Sequence, residues 1–279
     1  MPHGPTDAPS DTAQDDEPRT AERKRLAAST IYQIIRADGE SELKRPAVSL
    51  WWSGIAAGIA ITMSVVCKGL LYQHAPDGPW HHAVASLGYT IGFVIVVIGR
   101  LQLFTENTIT AVLPVLARTT PHAMRATARL WALVFVANMV GTGFAVAVAN
   151  YGGLATPDQL EAFTAVSAVI LDHGWLDTVR LGVPAGFLIA AVVWLLPSAR
   201  GFELWVVVLL TYMIALGGYA HVIAGAAEAF HLWAVGKAGA VKVVSFISAA
   251  FIGNVIGGTG LFALLAYGQV KNELEGGEA

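Results

Sequence analysis

Six stretches of mostly apolar residues, each long enough to cross a lipid bilayer, dominate this sequence. A transmembrane helix needs about 20 apolar residues to cross roughly 30 Å of hydrocarbon. The predicted spans cover, within a few residues, 47–72, 84–117, 129–150, 176–197, 203–236 and 243–268. Of the 279 residues, 55% are hydrophobic and 13% are charged, whereas a soluble domain is about a quarter charged. The sequence therefore predicts an all-α integral membrane protein with six transmembrane helices.

Composition also excludes several classes of function. The net charge is −3 and the basic residues form no stripe, so we expect no nucleic-acid partner. Cys67 is the single cysteine, which rules out an internal disulfide and a multi-cysteine metal site. The sequence holds no HExxH, no GxSxG and no glycine-rich phosphate loop. These absences argue against an enzyme, and we predict neither a cofactor nor a metal ion.

The distribution of lysine and arginine predicts the orientation of the chain. Basic residues cluster before the first span, and others lie in the second and fourth connections and after the last span. The first and third connections, 73–83 and 151–175, contain none. Lys237 and Lys242 in the fifth connection are the exceptions. We therefore predict a multi-pass protein of the inner (plasma) membrane with both termini in the cytoplasm.

The chain is predicted to have four segments. Residues 1–18 are polar and acidic, and are expected to form a disordered cytoplasmic tail. Residues 19–45 are expected to form an amphipathic cytoplasmic helix and a linker, with Gly39 ending the helix. This helix either lies on the inner leaflet or covers a pore. Residues 46–270 are expected to form the six-helix transmembrane domain, followed by a cytoplasmic tail at 271–279.

Two of the spans are interrupted by residues that hydrocarbon does not favour. The stretch LQLFTENTITAVLP places Thr-Glu-Asn-Thr, residues 105–108, inside the second span. In the fifth span, ALGGYAHVIAGAAEAF contains His221 among glycines and alanines. Unwound backbone at this depth is tolerated only where protein or a water-filled cavity satisfies its amide groups. We predict that both helices break, near 99–107 and 217–221, and that the two breaks meet.

Small and polar residues beside the breaks have predicted structural roles. Asn107 is expected to cap the half-helix that follows the first break. Gly217, Gly218 and Gly225 are expected to let the fifth span unwind or pack closely.

Spans three and six share a short motif, which indicates an internal repeat. ANMVGTG, beginning at Ala137, resembles GNVIGGT, beginning at Gly253. Because each half has three spans, the second copy is inverted in the membrane. Inverted repeats with broken helices in matching positions point to a transport site near the middle of the membrane. Asn138 and Asn254, one in each copy, are predicted to tie neighbouring backbone together as structural brackets.

Four motifs in matching order resemble the formate/nitrite transporter family, and within it the YfdC-like branch. The segment LFT, made of Leu103, Phe104 and Thr105, resembles the loop that breaks the family's second span. GYAHVIA at 218–224 resembles the fifth-span motif around a central histidine. ANMVG and GNVIGG are similar to the signatures of the third and last spans. The resemblance covers roughly residues 25–270.

This resemblance implies an aquaporin-like inverted repeat of six helices, assembled as a homopentamer with one pore per protomer. Family members pass small monovalent anions such as formate, nitrite or hydrosulfide, often together with a proton. His221 would then supply that proton, or orient the anion between two apolar constrictions. Thr105 would form hydrogen bonds in the same region.

The sequence departs from the family pattern at several positions near the expected pore. Ile170 stands near the place of the family's vestibule lysine. Ala220 and Gly225 replace a glutamate and an asparagine beside the central histidine, and Arg100 and Glu106 replace small residues of the second-span loop. These departures leave the choice of substrate open.

Charged residues at bilayer depth usually face a cavity or a partner, because a lone charge in hydrocarbon is costly. Arg100 and Glu106 are expected either to pair with each other or to line the pore. Arg180 either points outward or replaces the missing lysine as an anion-attracting charge. Glu228 is expected to face a cavity or a subunit interface.

The leading hypothesis is therefore passage of a small monovalent anion or its weak acid, and three alternatives stay open. With Glu106 and Glu228 present and no vestibule lysine, the same fold would also suit a cation or a neutral solute. A membrane enzyme would use His221 with a carboxylate. A sensor would dock a partner protein on its N-terminal helix.

Overall fold

The computed structural model describes residues 25–276, and the regular structure in this part of the chain is helical. Its first half contains α1 (Ala28–Lys44), α2 (Ala47–His74), α3 (His81–Gly88), α4 (Thr90–Ile98), α5 (Asn107–Thr110), α6 (Leu113–Ala117) and α7 (Pro121–Tyr151). Its second half contains α8 (Pro157–Ser167), α9 (Val169–Asp172), α10 (Trp175–Leu195), a 3-10 turn (Leu196–Ser198), α11 (Glu203–Leu216), α12 (Val222–Ala234), α13 (Ala240–Val255), a π-helical segment (Ile256–Ala263) and α14 (Leu264–Gly276). The tail predicted at 1–18 lies outside the described residues.

Several of these helices are suited to a membrane by length and composition. Among the described residues, five segments are long and apolar enough to cross one: Ala47–His74, His81–Ile98, Pro121–Tyr151, Trp175–Ser198 and Ala240–Leu274. The shorter apolar helices, of 10–17 residues, are Asn107–Ala117, Glu203–Leu216 and Val222–Ala234. These shorter pieces come from the second and fifth predicted spans. The prediction of an all-helical membrane protein is confirmed.

Two helix pairs, α2 with α7 and α10 with α13, form the most extensive contacts of the fold. Gly58 on α2 lies directly against the backbone of Asn138, and Gly186 on α10 lies directly against the backbone of Asn254. At either glycine a Cβ atom would collide with the carbonyl oxygen of the asparagine. Small residues let helix backbones approach closely in this way. The two halves of the sequence thus make equivalent contacts around their asparagines.

Helix α1 packs against the membrane helices through its apolar side. Tyr32 and Ile35 are buried, and the Tyr32 hydroxyl donates a hydrogen bond to the Leu113 carbonyl at 3.4 Å. Burial raises the pKa of the Tyr32 phenol above its ordinary value. The prediction that Gly39 ends this helix is wrong, because α1 continues to Lys44. Gly39 instead allows close approach to Thr110, whose carbonyl oxygen a Cβ atom would strike.

The third connection, 151–175, carries a helix that the sequence analysis does not predict. Helix α8 begins with a capping box, in which the Gln159 N–H donates to the Thr156 hydroxyl at 3.3 Å and the Thr156 N–H donates to Gln159 Oε1 at 3.0 Å. Phe163 of this helix packs against Gly69 of α2. Eleven residues are too few to register as a span.

Candidate functional site

The breaks in the second and fifth predicted spans meet at one buried contact between Thr105 and His221. Thr105 Oγ1 and His221 Nε2 are 2.8 Å apart, and the two residues are 0% and 1% exposed. Thr105 lies in the irregular segment between α4 and α5, and His221 immediately precedes α12. The Phe93 ring and the imidazole pack nearly perpendicular to each other, with ring centroids 4.9 Å apart.

The hydrogen bonds of His221 determine which ring nitrogen carries the proton. His221 is the N-cap of α12, and its Nδ1 accepts the backbone N–H of Ala224 at 3.2 Å. A nitrogen that accepts a hydrogen bond carries no proton, so the neutral ring holds its hydrogen on Nε2. Nε2 therefore donates to Thr105 Oγ1. The hydroxyl hydrogen of Thr105 is then available to a further acceptor.

Asn138 and Asn254 hold the loops at the two breaks with the same set of bonds. Each side-chain oxygen accepts one backbone N–H, and each side-chain nitrogen donates to two backbone carbonyls. The partners of Asn138 are Phe104 N–H (2.9 Å), Gly54 O (2.8 Å) and Gln102 O (2.8 Å). The partners of Asn254 are Val222 N–H (2.8 Å), Gly182 O (2.9 Å) and Ala220 O (2.8 Å). Each asparagine thereby satisfies one N–H and one carbonyl that the broken helix leaves without helical partners, and its third bond ties the break to the neighbouring helix α2 or α10.

Asn107 does not cap the helix that follows the first break, as had been predicted. It is the first helical residue of α5, and no side-chain cap is present there. Its side-chain nitrogen donates to Gln102 Oε1 at 3.1 Å and to the Leu103 carbonyl at 3.3 Å. An N-cap must accept a backbone N–H with its side-chain oxygen, whereas Asn107 uses its NH2 group to fold the loop back on itself.

The three glycines singled out from the fifth span have different surroundings. Gly218 has a φ of 62°, a left-handed conformation that suits glycine where α11 ends. Gly217 lies against the Tyr219 ring, and Gly225 lies against the Phe246 ring.

Two cavities flank the loops at the breaks. The larger, which we call the α1 cavity, has a volume of about 690 Å³ and extends between Leu103, Glu106 and the Ile34 side of α1. The smaller, which we call the Lys68 pocket, has a volume of about 40 Å³ and is bordered by His221 and Lys68. The first break, which carries Thr105, therefore borders the α1 cavity, and His221 of the second break borders the Lys68 pocket.

Leu103 and Phe104 are fully buried beside this contact. Leu103 borders the α1 cavity. Phe104 points the other way and stacks on Phe251, with ring centroids 4.8 Å apart and an interplanar angle of 20°. It also packs nearly perpendicular to the rings of Trp131 and Phe135.

The structure distinguishes between the alternatives left open for the charged candidates. Arg100, which has a φ of 54°, pairs with Asp38 of α1 at 3.8 Å and not with Glu106. Glu106 borders the α1 cavity, and its Oε1 is buried without a hydrogen-bond partner among the described residues. Arg180 is 75% exposed and pairs with Asp177 at 3.1 Å, so it does not border either cavity.

Lys68 is a candidate that the sequence analysis missed. It lies in the Lys68 pocket together with Glu228, Ile170 and His221. Its Nζ is 3.8 Å from Glu228 Oε1 and 5.8 Å from the centre of the Tyr89 ring, and both charged side chains are 10% exposed. The signal was present, since Lys68 is a charged residue well inside the first apolar span.

Comparison with known proteins now identifies the family. The sequence model described as "Formate/nitrite transporter" matches residues 29–268, which is most of the chain. The chain belongs to the formate/nitrite transporter family. This assignment confirms the predicted resemblance and supports a transport protein over a membrane enzyme.

Relatives in this family include proteins from several organisms. The chain is 36% identical to the inner membrane protein YfdC of Escherichia coli over 248 residues, which are 88% of this chain and 80% of that protein. It is 28% identical to the formate channel FocA of Haemophilus influenzae over 188 residues, which are 65% of each protein.

Solved structures of the formate/nitrite transporter family share the fold. One described as "FNT family ion channel" aligns with a TM-score of 0.75 and 16% identity, covering 85% of this chain and 97% of that one. Another, described as "Pentameric formate channel with formate bound", aligns with a TM-score of 0.67 and 22% identity, covering 81% and 97%.

Proposed function

We propose that this chain is a membrane channel for a small monovalent anion such as formate or nitrite, or for its weak acid. The solute would pass the contact between Thr105 and His221. That contact carries the proposal, because it is fully buried and joins the first break, which borders the α1 cavity, to His221, which borders the Lys68 pocket. The formate-channel names of the relatives support the choice of solute.

The geometry offers a small solute one polar group in otherwise apolar surroundings. His221 Nε2–H donates to Thr105, which leaves the Thr105 hydroxyl hydrogen for an oxygen of the solute. Hydrogen bonds that run in series polarise one another, so this hydroxyl is a stronger donor than an isolated one. Phe93, which packs on the His221 ring, and Leu103 are both buried apolar residues. Passage as the neutral acid avoids carrying a bare charge through this region.

We also propose how the chain is arranged in the membrane. The helices on either side of each break would cross together, which gives six crossings, with N- and C-termini in the cytoplasm of a cell whose inner membrane holds the protein. Five protomers would assemble, each with its own pathway. The excess of lysine and arginine in alternate connections supports this orientation, and the pentameric neighbour supports the assembly.

Flux measurements in proteoliposomes test the proposed solute. Purified protein should release trapped formate and nitrite much faster than protein-free vesicles, with little release of potassium or glycerol. Native mass measurement on the same sample should give a pentamer. Faster passage of potassium or glycerol than of formate would reject the anion channel.

One observation favours the alternative of a cation or neutral solute, and the same assay decides it. Acidic side chains outnumber basic ones around the α1 cavity, which is lined by Asp38, Glu42, Glu106 and Glu203 and by Arg100 and Arg200. A cavity with this excess of negative charge attracts cations by long-range electrostatics.

A further inference from the structure

The Lys68 pocket holds two opposite charges beside His221, so its net charge is zero before a solute enters. Lys68 and Glu228 are 3.8 Å apart and 10% exposed, so the pocket contains one positive and one negative side chain. An ion pair buried in this way costs far less than either charge alone. An anion that enters adds an uncompensated negative charge. The net charge of the pocket returns to zero only if a proton enters together with the anion.

His221 is badly placed to take up that proton. Nε2 already holds a hydrogen and donates it to Thr105, so a second proton would have to bind Nδ1. Nδ1 accepts the Ala224 N–H and caps α12. Its protonation would therefore replace an attractive contact with two opposed N–H groups at the start of the helix.

We propose, resting on the proposed function, that Lys68 binds the anion in this pocket and that Glu228 is the group that carries the proton. Glu228 lies on α12 two turns beyond His221, and Lys68 reaches the pocket from α2. Ile170 borders the same pocket without a charge. Lys68 thus supplies from α2 a positive charge that Ile170 does not supply.

The steps balance in charge and in protons. A proton from water binds the Glu228 carboxylate, which becomes a neutral acid and releases Lys68. The formate anion takes its place against the Lys68 ammonium. Glu228 then passes its proton to a formate oxygen, and the carboxylate returns to Lys68. Neutral formic acid leaves toward Thr105 and His221, and every group of the pocket is restored.

Among the described residues, four other titratable side chains surround Lys68 and Glu228 in the pocket. Tyr89 lies under the Lys68 ammonium, and His173 and Tyr219 border the pocket from the connection before α10 and from the second break. His221 borders it at the start of α12. Glu228 is the one carboxylic acid among the residues that line the pocket within the described part of the chain.

The decisive variant is Glu228→Gln in proteoliposomes that report formate flux, internal pH and membrane potential together. In the unsubstituted protein, formate and protons should enter in equal numbers. Glu228→Gln should keep a formate flux that now follows the membrane potential, with its proton flux lost. Glu161→Gln, which changes an exposed glutamate on α8, should behave like the unsubstituted protein. Coupled proton flux that survives in Glu228→Gln overturns the proposal.

A second variant and a measurement on the unsubstituted protein cover the case in which Glu228→Gln fails to assemble. Lys68→Gln combined with Glu228→Gln removes both charges, so no lone buried charge remains. The double variant should assemble. Its formate flux should no longer saturate at low formate concentration and should no longer be coupled to protons. Retention of both properties would reject the proposal. In the unsubstituted protein, formate binding should add an infrared band of a protonated carboxyl group, shifted in Glu228→Asp. Absence of that band contradicts the proton-carrier role.

These outcomes separate the inference from the proposed function. If the unsubstituted protein passes no formate or nitrite, the proposed function is wrong. If it does, and the coupling is unchanged in Glu228→Gln, the channel stands and the role of Glu228 is rejected.

Discussion

Asn138 and Asn254 form the same three hydrogen bonds at the two breaks, each accepting one backbone N–H and donating to two backbone carbonyls. Both side chains are fully buried, and each sits where a glycine of a neighbouring helix makes its closest approach. The irregular backbone that carries Thr105 and His221 is therefore held by side chains rather than by helical hydrogen bonds.

Asn254→Ala should destabilise the protein strongly. It leaves the Val222 N–H and the Ala220 carbonyl without partners in the interior, whereas the Gly182 carbonyl lies inside helix α10; each unpartnered group costs about 1–3 kcal/mol. The midpoint of thermal unfolding in detergent, followed by loss of the native oligomer, measures this effect. Asn150→Ala is the control, because among the described residues the Asn150 side-chain nitrogen donates just one bond, to Val146 O of its own helix. Equal shifts for the two variants would contradict the bracket role.

Thr105→Val should lower formate flux on the order of tenfold, since about 1.4 kcal/mol is the scale of one hydrogen bond at the barrier. The substitution keeps the shape of the side chain and removes the hydroxyl that receives the His221 Nε2–H. Thr105→Ser should restore most of the flux. Thr119→Val, at an exposed threonine bonded to the Val115 carbonyl, serves as control. Unchanged flux in Thr105→Val would remove Thr105 from the pathway.

His221→Asn and His221→Phe should differ. Asparagine offers an oxygen to cap α12 and an N–H to face Thr105, so flux and its proton coupling should persist. Phenylalanine offers neither, and should block flux in a protein that still assembles. Radiolabelled formate uptake across pH 5–8 distinguishes the two variants. If His221→Asn passes formate without protons, the proton travels through the histidine and the role given to Glu228 is wrong.

Docking of α1 should weaken in alkaline solution. The pKa of Tyr32 is raised by burial, so the folded state favours the neutral phenol. The contribution of the neutral Tyr32 phenol to the docking of α1 is fully present below the ordinary tyrosine pKa of about 10. It is lost as the pH rises above that value. Tryptic cleavage at Arg36 should therefore increase from about pH 9 to about pH 11. Tyr32→Phe has no group to ionise and should show a smaller increase; an equal one would exclude Tyr32 as the cause.

Much of the site follows from local sequence signals. His221, Thr105 and the two asparagines are polar residues inside apolar segments, and bilayer depth alone makes such positions noteworthy. The resemblance of the motifs LFT, GYAHVIA, ANMVG and GNVIGG then assigned these residues to one family. The same motifs placed the interruptions near the observed ends of α4 and α11.

Pairings between distant residues were predicted less well. Of the two alternatives for Arg100 and Glu106, pairing with each other or lining a pore, the ion pair is not formed, because Arg100 reaches Asp38 on α1. Lys68 was overlooked because nothing near it in sequence suggests a partner, whereas Glu228 on α12 lies beside it in space. Gly39 was interpreted as a helix end, although its role is close contact with Thr110.

The sequence by itself determined the membrane class, the family and the residues at the two breaks. Hydropathy, charge bias and short motifs are properties of neighbouring residues, and these properties do not depend on how the helices pack. Only the tertiary structure decided which charges meet, where Arg180 points, and that Lys68 and Glu228 share a pocket with His221. The reason is physical: the rotation and depth of each helix are set by contacts between segments, such as Gly58 on Asn138 and Gly186 on Asn254, that no local pattern specifies.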